Sequence, residues 1–118
     1  LIGLMVTVFV ATLGKQGMKD LAKLCYQKAH YAAAEIDRLD GFLVESSGSG
    51  TEYFNEFVVR CPGSPAAINA ALLERKIIGG LDISDRSDNG MLVCVTETSL
   101  KADIDMFVVA LGEIGAAQ

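Results

Sequence analysis

Residues 77–97 read IIGGLDISDRSDNGMLVCVTE. Two strand-like runs, IIGGLDIS at 77–84 and MLVCVTE at 91–97, flank a polar loop that closes on Asn89-Gly90. A parallel pair needs a crossover of a dozen or more residues, usually a helix, and this loop has no room for one. The two runs therefore pair antiparallel, which predicts an α+β layer rather than a doubly wound sheet. Residues 91–95 are apolar without a break. That pattern predicts a central strand covered on both faces.

Working upstream, PGSPAAINAALLERK (62–76) predicts a helix. Ser64 is placed as its N-cap and Pro65 at the first helical position, where a missing N–H costs nothing. Ile68, Ala71 and Leu72 form its buried side. NEFVVRC (55–61) is rich in β-branched and aromatic residues and predicts a strand. The Gly/Ser stretch SSGSGTEYF (46–54) is a loop, and Phe42 to Glu45 is a short strand before it. Still earlier, Met18, Leu21, Ala22, Cys25, Ala29, Ala32, Ile36 and Leu39 recur at steps of three and four, the stripe of an amphipathic helix. Gly41 follows as a left-handed C-terminal cap. Downstream, a last helix starts near Ser99 with the stripe Leu100, Ile104, Phe107, Val108 and Leu111, and Asp103 and Asp105 favour its positive end. The expected order is helix, helix, strand, strand, helix, strand, strand, helix, with a mostly antiparallel sheet covered by helices.

The chain opens LIGLMVTVFVATLGKQG (1–17), with no charge before Lys15. The stretch is too short to span a bilayer, which takes about 20 apolar residues. No basic region precedes it, so a signal peptide is disfavoured. A buried helix remains, ended by the break at Gly14 and Gly17. No Met stands at position 1, from which the chain is expected to begin inside a longer reading frame. The division that follows is an apolar helix at 1–14, joining or packing on a larger domain, and an α+β domain at 15–118.

The 118 residues are one domain's worth of chain, with 15 acidic against 10 basic side chains and a net charge of −5. That balance argues against a nucleic-acid surface. Cys25, Cys61 and Cys94 are an odd number of widely spaced thiols, which fits neither a disulfide framework nor a zinc site. Cys61 and Cys94 lie in strand-like runs and are expected in the core. A reducing, cytoplasmic compartment suits them.

Reactive chemistry is scarce. His30 is the single imidazole; it projects away from the helix stripe and is expected to be solvated or at an interface. No Ser or Cys has a base partner in view. The Gly79-Gly80 pair follows a helix instead of opening one, so it predicts a tight turn and not a phosphate cradle. Lys15, Lys19, Lys23, Lys28, Lys76 and Lys101 fall on polar helix faces or at helix ends. A Schiff-base lysine is desolvated or set beside another cation, and none of the six fits that description. The expectation is no catalytic, no cofactor-binding and no metal-binding residue on this chain.

Four stretches together resemble a known family: ATLGKQGMKDLAKLCYQKAHY (11–31), FNEFVVRCP (54–62), ALLERKIIGGLDIS (71–84) and GMLVCVTETSLKADIDMFVVALGE (90–113). They are similar to the C-terminal part of the P-protein of the glycine cleavage system, glycine dehydrogenase (decarboxylating). The likeness is to subunit 1 of its two-subunit form or the matching half of the fused form, over about Leu4 to Glu113. It implies the small C-terminal domain of a fold-type-I pyridoxal-phosphate enzyme. It implies glycine decarboxylation with passage of the aminomethyl group to the lipoyl arm of the H-protein, beside a subunit 2 that carries the cofactor lysine. Where subunit 2 reads HEF, this chain reads NEF with Asn55, so the resemblance assigns no cofactor contact here. The GEIGAAQ tail (112–118) suits a subunit 1 terminus. On this reading the isolated chain is inactive, binds no cofactor of its own, and self-associates through residues 1–13. The competing expectation is a stand-alone α+β small-molecule-binding or dimerisation module.

Overall fold

A computed structural model describes residues 1–45 and 52–117. The first helix, α1 (Ile2–Ile36), takes φ 63° and ψ −176° at Gly14. That backbone region is open almost only to glycine. Residue 14 therefore splits α1 into an arm over residues 2–13 and a body over 15–36. Gly17, expected to share the break, stays helical. The body ends at Ile36, and Gly41 adopts φ 80° five residues later, in the turn that delivers Phe42 to the core.

Two strands follow, β1 (Leu43–Val44) and β2 (Glu56–Arg60), then α2 (Pro65–Glu74). The Ser46–Thr51 part of the expected loop lies outside the described residues. Ser64 does stand at the N-cap with Pro65 after it, but its hydroxyl makes no capping bond. The chain continues through β3 (Leu81–Asp82), β4 (Gly90–Cys94) and α3 (Lys101–Gly115). The strand order is β1-β2-β4-β3, and every pairing is antiparallel. The α+β expectation from residues 77–97 is met.

The core lies between one face of this sheet and the helices. Val44, Phe57, Val59, Met91, Val93 and Val95 point toward Ala29, Ala32, Ala33 and Ile36 of α1, Ile68 and Leu72 of α2, and Ile104, Leu111 and Ile114 of α3. The three alanines bring the α1 backbone close to its neighbours. Full burial of an aliphatic side chain such as Leu72 or Leu111 is worth about 1.5–3 kcal/mol.

Several expectations are corrected. β4 is covered on one face only: Met91 and Val93 are buried, while Leu92 is half-buried and Cys94 exposed. All helices sit on the same side, so its continuous apolar run does not meet two covering layers among the described residues. The third strand shrinks to two exposed residues. Met18 and Leu100 leave the core; Met18 lies beyond the last turn of α1 that meets the sheet, and Leu100 is the N-cap of α3 and faces out. Ala71 is only half-buried. Asn89, with φ 51°, makes the left-handed turn into β4.

Candidate functional site

The body of α1 meets the segment after β4 through polar side chains. The Lys28 ammonium donates to the carbonyl oxygens of Glu97 and Ser99. One turn earlier, the Cys25 thiol donates to the Glu97 carboxylate at 3.2 Å. Burial, with the Glu97 hydrogen bond behind it, pushes that thiol's pKa up. One turn later, the Tyr31 hydroxyl donates to Asp105 at 2.6 Å, and Lys101 donates to Tyr31 at 2.8 Å and to Asp105 at 2.7 Å. These bonds hold the Lys101 ammonium protonated far above the usual lysine range and the Asp105 carboxyl below the usual carboxylate range.

His30 is half-buried and part of an aromatic stack. Its ring stacks on Tyr26 at 3.8 Å between centroids and on Tyr53 at 4.2 Å, and Tyr53 tilts against Phe57. Nδ1 lies 2.9 Å from the Tyr26 carbonyl oxygen, so it acts as the donor there. The stack ties the segment before β2 to α1. The i, i+4 spacing of Tyr26 and His30 was visible in the sequence; Tyr53 joins them only through tertiary folding.

A cleft of about 390 Å³ opens between the α2–β3 connection, the end of β4 and α3. Lys76, Ser99 and Asp103 stand at its polar edge, and Ile78, Val95 and Phe107 are among its apolar lining. Lys76 takes φ 62° and ends α2 in a left-handed turn. The expected turn at Gly79-Gly80 is therefore made by Lys76, and the glycines serve close approach. A Cβ on Gly80 would lie 2.5 Å from the Leu92 carbonyl oxygen.

The arm carries the largest apolar exposure. Leu1 and Ile2 are 94% and 79% exposed, and Leu4, Met5, Val6, Val8 and Phe9 are exposed by half or more. The Thr7 and Thr12 hydroxyls donate to the carbonyls of Gly3 and Val8, four residues back. The arm thus presents apolar groups all round, the character of a helix enclosed by other protein.

Burial pushes the Cys61 thiol up to about 11, and Cys94 is also raised, first by burial and then by Glu56. Among the described residues, no group of three or more His, Cys, Asp or Glu could hold a metal ion. None of the described helices is long and apolar enough to cross a membrane. The lysines do not fit a pyridoxal-phosphate Schiff base: Lys15, Lys19, Lys23 and Lys76 are exposed, Lys28 is spent on two carbonyls, and Lys101 is locked as a cation.

The antiparallel sheet with helices on one face is a fold shared with fold-type-I pyridoxal-phosphate enzymes. A solved phosphoserine aminotransferase from Cytophaga hutchinsonii is similar to it with a TM-score of 0.70 at 16% identity, covering 92% of this chain and 29% of that one. A family profile described as glycine cleavage system P-protein matches residues 1–111, and the chain belongs to that family. It is 48% identical over 98% of its length to the probable glycine dehydrogenase (decarboxylating) subunit 1 of Thermomicrobium roseum, and 47% identical over 92% to that of Desulfitobacterium hafniense. A crystal structure of glycine decarboxylase (P-protein) of the glycine cleavage system, in inhibitor-bound form, is similar with a TM-score of 0.85 at 28% identity over 94% of this chain and 25% of that one. The chain spans about a quarter of these relatives, 26% and 24% of the two bacterial subunits.

Proposed function

We propose that this chain is the small C-terminal domain of a P-protein subunit 1. The whole protein then takes part in glycine decarboxylation, with transfer of the aminomethyl group to the lipoyl arm of the H-protein. The observation that carries this reading is the likeness of backbone and sequence to P-proteins over nearly all of the chain, at a quarter of their length. In this reading pyridoxal phosphate and its lysine belong to the parent complex, on subunit 2, and this domain contributes no catalytic, cofactor-binding or metal-binding residue. Its role is structural: the core rigidifies the domain, and the α1 body carries the arm away from it. The arm, residues 1–14, joins and packs on a larger preceding domain. Without that domain the chain self-associates through residues 1–13. The compartment is the cytoplasm, with no nucleic-acid partner and no membrane partner.

A graft tests the reading. These 118 residues replace the matching quarter of the Thermomicrobium roseum subunit 1, and glycine-dependent CO2 release is assayed with subunit 2 and lipoylated H-protein. Restored release is the expected result. A folded graft without release, beside an active parent subunit, would overturn it. The 118-residue chain alone, mixed with glycine and pyridoxal phosphate, should develop no absorbance band of a lysine-bound cofactor.

A further inference from the structure

Of the three asparagines, Asn55, Asn69 and Asn89, only Asn89 precedes a glycine. Asparagine is a thermolabile residue. A following glycine has no Cβ and leaves its backbone nitrogen free to reach the side-chain amide. The Gly90 nitrogen can then attack Cγ of Asn89. A new N–Cγ bond forms, the Cγ–Nδ2 bond breaks, and ammonia leaves with the proton from the Gly90 nitrogen. Water opens the resulting ring at either carbonyl and leaves an aspartyl or an isoaspartyl residue at position 89. No oxidant or reductant is consumed.

The turn into β4 demands this pair. Asn89 takes φ 51°, a left-handed conformation in which asparagine is enriched among non-glycine residues. A Cβ at Gly90 would lie 2.7 Å from Ser87 Cβ and 2.9 Å from the Ser87 carbonyl oxygen, so a larger residue there displaces the turn. The same geometry holds the reaction off. Gly90 is buried, and its N–H donates to the Ser87 carbonyl at 2.7 Å. Cys61 N–H donates to the Asn89 carbonyl at 3.0 Å, Ile83 N–H donates to the Gly90 carbonyl at 2.9 Å, and Gly90 pairs with Arg60 of β2. Ser87 is itself tethered: its hydroxyl donates to Glu45 at 2.6 Å, and Glu45 also pairs with Arg60. An amide whose proton is engaged and sheltered from water reacts only when the structure opens, as in hydrogen exchange. Its place in the ladder also keeps the nitrogen from turning onto Cγ.

We propose that Asn89 is a deamidation site kept shut by the turn between β3 and β4. Opening of the turn releases the Gly90 nitrogen. The isoaspartyl product, whose backbone is one methylene longer, then prevents the turn from closing again, because it separates the Asn89–Cys61 hydrogen bond from the Gly90–Arg60 pair. Modification at position 89 therefore accumulates with the time this part of the sheet spends open. The fold requires the labile pair and shelters it through the same contacts.

The 118-residue chain is held in mildly alkaline buffer, with and without denaturing guanidinium chloride. The tryptic peptide 87–101 is followed by mass spectrometry for conversion of amide to acid, and chromatography separates the two acids. Conversion in the folded chain is expected to be at least about tenfold slower than in denaturant, the ratio following the free energy of opening. Ser87→Ala and, separately, Glu45→Gln loosen the tether away from the core. Each should speed conversion in the folded chain roughly fivefold while the circular dichroism melt stays cooperative. The purified isoaspartyl chain should not regain that cooperative melt, whereas Asn89→Asp, which keeps the backbone length, should. Equal rates with and without denaturant would overturn the shelter, and no conversion in denaturant would overturn the site. Unchanged rates in both tether variants would overturn the gate at Ser87. An isoaspartyl chain that melts like the unaltered one would overturn the block on closing.

Discussion

The Tyr31 hydroxyl donates to the Asp105 carboxylate at 2.6 Å and joins α1 to α3 across 74 residues of sequence. Lys101 closes the group by donating to both partners. Asp105 is held below its ordinary pKa of 3.8 by the Lys101 and Tyr31 hydrogen bonds, and Glu45 below 4.5 by Ser87 and Arg60. A carboxylate whose folded pKa is depressed binds fewer protons folded than unfolded, so its contribution is full above the unfolded value and is lost as pH falls through the folded one. The melting temperature should therefore drop as pH is lowered through about 4 and below. Asp105→Asn and Glu45→Gln should each flatten that acid limb, read by circular dichroism melts. An unchanged acid limb in both variants would show that these bonds do not form in solution.

Lys28 supplies a donor to two carbonyls, those of Glu97 and Ser99. Lys28→Met keeps the apolar stem and removes the donor, leaving those carbonyls short of a partner. A loss of about 1–3 kcal/mol is expected from the urea midpoint. Lys23→Met, at an exposed position one turn or so away, should stay within about 0.5 kcal/mol.

Ile68 is fully buried between α2 and the sheet. Ile68→Asp places an unpaired charge there, at a cost of several kcal/mol, on the order of 3–5. The variant should lack a cooperative thermal transition, and a native melting curve would mean that α2 faces the other way.

Gly80 has no room for a methyl group: a Cβ would meet the Leu92 carbonyl oxygen at 2.5 Å and Met91 Cγ at 2.6 Å. Gly80→Ala must shift backbone and should cost about 1–3 kcal/mol. Gly3→Ala, with nothing within 4 Å, should instead favour the arm helix by up to about 1 kcal/mol. Denaturant midpoints for the first and helicity by circular dichroism for the second separate the two effects.

The arm should make the isolated chain associate, because contiguous apolar patches above a few hundred Å² are uncommon on soluble monomers. Light scattering is expected to give a mass that rises with concentration. Val6→Lys with Phe9→Lys should return the chain to a monomer without changing its melting temperature, since neither residue touches the core. A strict monomer for the unaltered chain would end this expectation.

Much of this architecture was legible in the residues themselves. The absence of room for a crossover between 84 and 91 settled antiparallel pairing, and the steps of three and four from Cys25 to Ile36 marked the buried face of α1, while Leu21 and Ala22 of the same stripe stay half-buried. Pro65 located the start of α2, and the glycine at 14 marked the break that frees the arm. These signals are local: they depend on periodicity, on backbone freedom and on the reach of a short loop. The uncharged opening of the chain and the excess of acidic residues were likewise visible without any coordinates.

Tertiary structure decided the rest. A run of five apolar residues at 91–95 says that a strand is central, and only the placement of all helices on one side shows that Leu92 and Cys94 face outward. His30 gained its second ring from Tyr53, 23 positions on by the numbering, and Lys28 found its carbonyls 69 and 71 residues away. Periodicity fixes which side of an element is apolar, because that side must leave water. Which distant atoms meet a given side chain depends on how the elements pack, and no short stretch of sequence carries that information.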